Sequence, residues 1–279
     1  MTSRPEILAL TELSPSRYQV TQPREAAEGR DVVYSGQLIA QMIMASDTAA
    51  GGAKAVRSLH AVFARAGTYR APIELQVDSM QAGRTWASDT VTATQGDRLL
   101  ARSIVLLACA DDDLMRHEPA LPADVPDAES LAPGRGAVFP GAEWRPVPGE
   151  REIGGVPAAL AWHRYLGAGD SPAAHQAVLA WATCGDVIGL AMRPHRSSVD
   201  LSQAHRTLST GVIGHTIHFT EPVDVSGWLL VVATGTKAGG GRTFGGGQVF
   251  DTQGRLVAVF AQDGMAKKAD RPLDPGSGL

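Results

Sequence analysis

Between residues 35 and 50 the chain reads SGQLIAQMIMASDTAA, with Leu38, Ile39, Met42, Ile43 and Ala45 at helical spacing. Residues 172–184, PAAHQAVLAWATC, do the same with Ala177, Val178, Ala180, Trp181 and Cys184. Each stretch predicts a long apolar helix. After each helix the period changes to two. SLHAVFARAG (58–67) and AGRTWASDTVTATQGDRLLARSIVLLA (82–108) follow the first helix; IGHTIHFTEP (213–222) and GGRTFGGGQVFDTQGRLVAVFAQDG (240–264) follow the second. Alternation of this kind predicts antiparallel strands, and TQGDR and TQGR between the alternating runs predict hairpin turns.

The two halves are copies of one plan. His60 and His215, Gly83 and Gly241, Arg84 and Arg242, Arg98 and Arg255, and Ala101 and Ala258 recur in order at separations of 155 to 158 residues, a drift that loop insertions explain. Each unit reads as a helix followed by three or four long strands whose sheet buries one face on that helix. Between the units the composition shifts. Asp111, Asp112 and Asp113 lead into repeated prolines and glycines, so residues 110–157 read as a crossing linker rather than a third core. The division expected is residues 1–109, linker 110–157 and residues 158–279, with AALAWHRYLG (158–167) as an added strand opening the second unit.

One strand carries unusual polarity. In VIGHTIHFTEPV (212–223), a period of two places Val212, Gly214, Thr216, His218 and Thr220 on one face and Ile213, His215, Ile217 and Phe219 on the other. On this count Thr216 and His218 offer a hydroxyl and an imidazole on the face of Val212. Gln262 lies on an apolar strand where the first unit has Val105, which points to a site in the second unit only; the alternative is an amide satisfied by backbone. Asp186 follows the second helix, either as a functional carboxylate or as a turn residue, and Cys184 reads as a buried helix thiol. His60 and His215, as repeat equivalents, suggest a shared structural role beside the helices. Gln37, at the start of the first helix, bonds either backbone near the seam between units or a substrate.

Composition narrows the chemistry. A net charge of −4, from 25 basic and 29 acidic residues, leaves no basic excess for a nucleic-acid backbone, while local arginines still suffice for a small anionic ligand. The two cysteines exclude a disulfide framework and form no zinc-binding pattern. No basic-then-apolar leader and no run of about 18 apolar residues appears, so a cytoplasmic protein without a membrane span is expected. The glycines of KAGGGRTFGGGQ (237–248) do not join a strand to a helix as a phosphate loop does, and fit a tight hairpin with close backbone approach. Arg242 or Lys237 beside them could meet phosphates.

A duplicated unit of apolar helix and antiparallel sheet resembles the double hotdog proteins, an α+β fold. SGQLIAQ (35–41), SLHAVFARAG (58–67), HQAVLAW with LAMRPH (175–181 and 190–195), FTEPVDVSGWLLV (219–231) and TQGRLVAVFAQDGMAKK (252–268) are similar to the acyl-CoA thioesterase II family. The resemblance implies hydrolysis of acyl-CoA to free acid and CoA by a water oriented by Asp, Thr or Ser, and Gln. It implies no cofactor beyond the CoA of the substrate, and self-association into a homo-oligomer. The family Gln falls on Gln262. The Asp position falls on Cys184, or on Asp186 with a two-residue slip, and the Thr position falls on Val212. The expected catalytic group is therefore Gln262 and Asp186 with Thr216 or His218, and Gln37, His60, His215 and Arg242 are expected around the substrate. Cys184 and Val212 leave open an acyl-thioester-binding protein without hydrolysis, and His with Asp leaves open hydration or dehydration of an acyl thioester.

Overall fold

The computed structural model describes residues 6–22, 31–134 and 141–269. The chain runs β1 (Thr11–Ser14), β2 (Arg17–Val20), α1 (Ser35–Ala49), β3 (Ala55–Phe63), β4 (Ile73–Ala82), β5 (Trp86–Gln95) and β6 (Arg98–Ala108) in its first half. The second half holds β7 (Ala142–Pro146), β8 (Arg151–Ile153), β9 (Val156–Tyr165), α2 (Pro172–Ala182), α3 (Val187–Met192), β10 (Leu208–Phe219), β11 (Leu229–Gly239), β12 (Arg242–Asp251) and β13 (Leu256–Lys268). Among the described residues these strands form one antiparallel sheet in the order β1-β2-β4-β5-β6-β3-β10-β13-β12-β11-β9-β7, with β8 paired to β9.

Both long helices lie on the inner face of this sheet and against each other. Helix α1 is buried from Gly36 through Ser46, on every side, as a central helix must be. Helix α2 starts on Ser171, whose hydroxyl accepts from the Ala174 N–H, with Pro172 in the first turn. The N-terminus of α1 abuts the C-terminus of α2 so closely that a Cβ on Gly36 would lie 2.5 Å from the Trp181 carbonyl oxygen. Polar side chains on such helices need partners. Gln176 donates to the Val56 carbonyl at 2.6 Å, and Gln41 donates to that of Ile7 at 3.0 Å.

The halves meet at β3 and β10, where His60 stands opposite Thr216, Leu59 opposite Ile217 and Ala61 opposite His215. Leu59 pairs with Val105 on β6 as His215 pairs with Gln262 on β13. The structural counterpart of His215 is therefore Leu59, and the pseudo-twofold axis runs through the His60–Thr216 pair. This corrects the equivalence of His60 and His215 drawn from residue identity. A one-residue slip in a strand reverses the face, and the two histidines point to opposite sides of the sheet.

Residues 110–157 do more than cross. Strands β7 and β8 extend the sheet, and Leu121, Val125, Ala128 and Leu131 pack on its outer face over Ala158, Leu160, Trp162, Leu230, Val232 and Phe250. Trp162 Nε1 donates to the Pro126 carbonyl at 2.9 Å, and Trp228 Nε1 to Glu129 Oε1 at 2.8 Å. The second half is thus covered on both faces, whereas the outer face of the first half exposes Val62, Ile104 and Leu106. No helix among the described residues is long and apolar enough to cross a membrane.

Candidate functional site

On β10, His215, Ile217 and Phe219 are buried and Thr216 and His218 are not. Upstream, a bulge between Val212 and Gly214 breaks the register with β13. Val212 stands opposite Gly264, whose side is packed by Ile188 and Thr243, so Val212 and His215 share the inner face in spite of their odd spacing. An inserted residue reverses the parity of everything beyond it. The face expected to hold Val212, Thr216 and His218 together is therefore split: Val212 looks inward, and Thr216 and His218 look out.

Three residues converge on the inner side where α2 ends over β10 and β13. Thr183, His215 and Gln262 are 2%, 1% and 1% exposed. Thr183 Oγ1 donates its proton to the Ala180 carbonyl at 3.0 Å and lies 3.1 Å from His215 Nε2. With the hydroxyl proton committed to the helix carbonyl, Thr183 accepts from the ring, which fixes the imidazole proton on Nε2 and leaves a lone pair on Nδ1. The ring stacks on Phe260 at 6.0 Å. Neither His215 Nδ1 nor either polar atom of Gln262 reaches full hydrogen-bond geometry with a described residue, although such groups are ordinarily satisfied when buried. Burial lowers the His215 pKa from 6.5 to about 4; the Gln262 side chain, near enough to act on the ring as a hydrogen-bonding neighbour though short of good geometry, pulls it upward and His60 pulls it downward.

This depression has a consequence for stability. Below pH 6.5 the unfolded chain takes up a proton that the folded chain refuses until about pH 4, so stability is lost as pH falls through that window. The shift corresponds to about 3 kcal/mol. Denaturant unfolding between pH 7 and 4 should show this slope, reduced by that amount in His215→Asn.

Asp186 occupies the N-cap position of α3 without capping it. It is exposed by area yet densely surrounded, and this crowding raises its pKa while Arg193 draws it down. Its electrostatic neighbours are Arg193 and Tyr165, and it is absent from those acting on His215. Cys184 is 3% exposed and burial pushes its thiol far up, so it remains protonated. It does not serve as a nucleophile.

The remaining expected residues lie elsewhere. His60 Nδ1 is 2.6 Å from Thr216 Oγ1 on the outer face, and His218 is exposed opposite Ser58. Arg242 is exposed at the β11–β12 hairpin, one residue out of phase with the inward Thr243. Gln37 donates to Gln22 Oε1, and Gln22 in turn donates to Gln41, a chain that ties the N-terminal segment to α1. These five positions are expected from sequence as substrate contacts, a hydroxyl or a base, and the alternation, the hairpin and the glutamine chain place them outside the His215–Gln262 group.

The glycines serve packing. A Cβ on Gly235 would lie 2.2 Å from the Ala191 nitrogen, one on Gly245 would lie 2.8 Å from Val187 Cγ1, and one on Gly264 would lie 2.7 Å from Ile188 Cγ1. Helix α3 therefore rests on bare backbone beside Gln262, while Gly240 and Gly241, with φ of 61° and 75°, form the hairpin turn. Sequence reasoning missed Thr183 and α3. The available signals were a hydroxyl just past the last apolar turn of α2 and three glycines at inward strand positions.

Residues 22–110 match the family model described as the acyl-CoA thioesterase N-terminal domain, and residues 117–266 match that of the C-terminal domain. The chain is 24% identical over 263 residues to human acyl-coenzyme A thioesterase 8, covering 84% of this chain and 80% of that protein. It is 23% identical over 256 residues to acyl-CoA thioesterase 2 of Haemophilus influenzae, covering 84% and 87%. Among solved structures, an acyl-CoA thioesterase II, TesB2, from Mycobacterium marinum superposes with a TM-score of 0.80 at 24% identity over 95% of this chain and 98% of that one. A hot dog fold protein from Alicyclobacillus acidocaldarius gives 0.71 at 19% identity, covering 94% and 97%. With its two halves matched in order over most of its length, and with the paired helix-and-sheet architecture those matches require, this chain belongs to the acyl-CoA thioesterase family.

Proposed function

We propose that the protein hydrolyses acyl-CoA thioesters at the inner-face group of Thr183, His215 and Gln262. The observation that carries this is the buried amide of Gln262, which meets no partner at full hydrogen-bond geometry and lies beside the buried His215 imidazole on which it acts. Leaving such groups without partners costs about 1–3 kcal/mol each, a cost that a bound water and a thioester carbonyl offset.

In this reading Gln262 Oε1 accepts from the attacking water and its Nε2 donates to the thioester carbonyl oxygen. Water oxygen bonds to the carbonyl carbon as its proton passes to His215 Nδ1, and Thr183 holds the ring in the required tautomer. The tetrahedral intermediate, its oxyanion facing the Gln262 amide, collapses with cleavage of the carbon–sulfur bond, and the imidazolium returns its proton to the CoA thiolate. A ring with a pKa of about 4 is neutral at pH 7, as a base must be, and its conjugate acid donates readily. By resemblance the family carboxylate falls on Cys184, or on Asp186 with a two-residue slip, and the family hydroxyl falls on Val212. Those departures favour the second reading, a protein that binds acyl thioesters without cleaving them. Thiol release from acyl-CoA substrates of two to eighteen carbons separates the two. Turnover above the spontaneous rate supports hydrolysis, whereas saturable binding without release supports the second reading.

A further inference from the structure

The segment 121–131 covers the outer face of the sheet over β9, β11 and Phe250 of β12. Beyond it the outer face continues from β12 through β13, β10, β3 and β6 to β5, and the strand registers lay it out in rows. Thr92, Arg102, Val62, Gly214, Asp263 and Phe244 stand side by side in one row. In the next, Ile104, His60, Thr216 and Ala261 occupy the four central strands, and in the third Leu106 and Val259 follow Ile104 and Ala261. Across these three rows Arg102 and Asp263 are the only residues among Lys, Arg, Asp and Glu. A patch depleted of charge at its centre has the composition of an interface, and Val62 and Ile104 on it are 53% and 52% exposed.

The two sides of this face differ in a complementary way. Val62 and Ile104 project from the first half, and the positions equally far across the β3–β10 seam hold Gly214 and Ala261. Arg102 likewise has Asp263 as its counterpart across the seam. We infer that a second copy of the chain covers this face, packed about a twofold axis that runs along the strands at the β3–β10 seam, between the two sheets. Such an axis sets every position against its counterpart in the other copy. Val62 then sits over Gly214 of the partner subunit, Ile104 over Ala261 of the partner subunit, and Arg102 against Asp263 of the partner subunit, each contact occurring twice. Within one chain the two charges stand three strands apart, roughly 14 Å. Arg102 Nε donates to Thr92 Oγ1 at 3.1 Å, and neither charge forms an ion pair with a described residue. Nor does the chain's own packing require the glycine. A Cβ on Gly214 would meet only the Asp263 side chain, at 3.6 Å, and the Ala61 carbonyl oxygen, at 3.8 Å. The axis keeps the strands of the two sheets aligned, as sheets about 10 Å apart prefer. Six strands at about 4.8 Å and three rows at about 6.7 Å span roughly 29 by 20 Å, about 1,150 Å² over both copies, which clears the ~1,000 Å² of a specific interface.

Sedimentation velocity on the full chain over a range of concentrations tests this, in wild type, Arg102→Asp, Asp263→Arg, the two combined, and Ile104→Asp. Wild type should give a species of twice the 29.2 kDa chain mass. Each single charge change turns two attractive contacts into two like-charge ones and should raise the dimer dissociation constant by about tenfold or more. The combined variant restores opposite charges and should return to within about threefold of wild type, because the two changes are coupled through one contact. Ile104→Asp sets a carboxylate over Ala261 of the partner subunit and should leave monomer, with circular dichroism confirming that it folds. Should it fail to fold, the charge exchange decides. A wild type that is monomeric at every concentration, whose outer face then meets some other partner or none, overturns the inference. So does a dimer that neither charge change weakens, or a combined variant no tighter than the single ones.

Discussion

His215→Asn should lower kcat for thioester hydrolysis by about 10²–10⁴-fold, the range for removal of a positioned general base, with KM close to wild type. Asparagine keeps a polar atom near the place of Nδ1 but cannot take a proton at neutral pH. The loss therefore falls on the transition state rather than on substrate binding. Thr183→Val supplies the companion result. It preserves shape and removes the acceptor that holds the ring proton on Nε2, so about a tenfold loss is expected, with the same circular dichroism as wild type. Steady-state thiol release measured at saturating and limiting substrate resolves kcat from KM in both variants. Retention of wild-type kcat in His215→Asn would remove the imidazole from the chemistry.

Gly235→Ala should be strongly destabilising. The added carbon would lie 2.2 Å from the Ala191 nitrogen and 2.4 Å from the Leu190 carbonyl carbon, both backbone atoms of α3, which cannot turn aside as a side chain does. The helix must lift from β11, at a cost of about 3 kcal/mol, the upper part of the range for overpacked positions. Urea unfolding should show a lower midpoint with an unchanged slope. Activity should fall with it, because Val187 and Ile188 of the same helix wall the site beside Gln262. Gly239→Ala, on the same strand but facing open space, should stay within about 0.5 kcal/mol of wild type.

Much of this architecture is legible in the residues, for reasons that can be named. Helices α1 and α2 are long and apolar with few interruptions, and strands after them alternate, so their existence follows from period alone. Gln262 stood out because the first half has Val105 in its place, a contrast that survives any uncertainty of fold. The linker's role was obscured because its apolar residues, Leu121, Val125 and Leu131, follow no period. The sign of its packing lay in the strands it covers: LLVVA at 229–233 is continuously apolar, as a strand buried on both faces should be. The Val212–Gly214 bulge is what the residues do not show. No residue type announces a bulge there, yet it puts His215 rather than Thr216 on the face of Val212, and the hydroxyl beside His215 is that of Thr183 at the end of α2. Matching His60 with His215 hides the same shift, since like residues one position apart in register lie on opposite faces.

The central claim is that hydrolysis occurs on the inner face of the second half, and one comparison tests it most directly: thiol release by Gln262→Ala beside Thr216→Val and His218→Ala. Gln262→Ala should lose about 10²–10³-fold in kcat, as does removal of an oxyanion donor, while the two outward-facing variants remain within about twofold of wild type, as is usual for substitutions away from the reacting group. Wild-type turnover in Gln262→Ala, with a collapse in Thr216→Val or His218→Ala, would place the chemistry on the opposite side of the sheet and contradict the account.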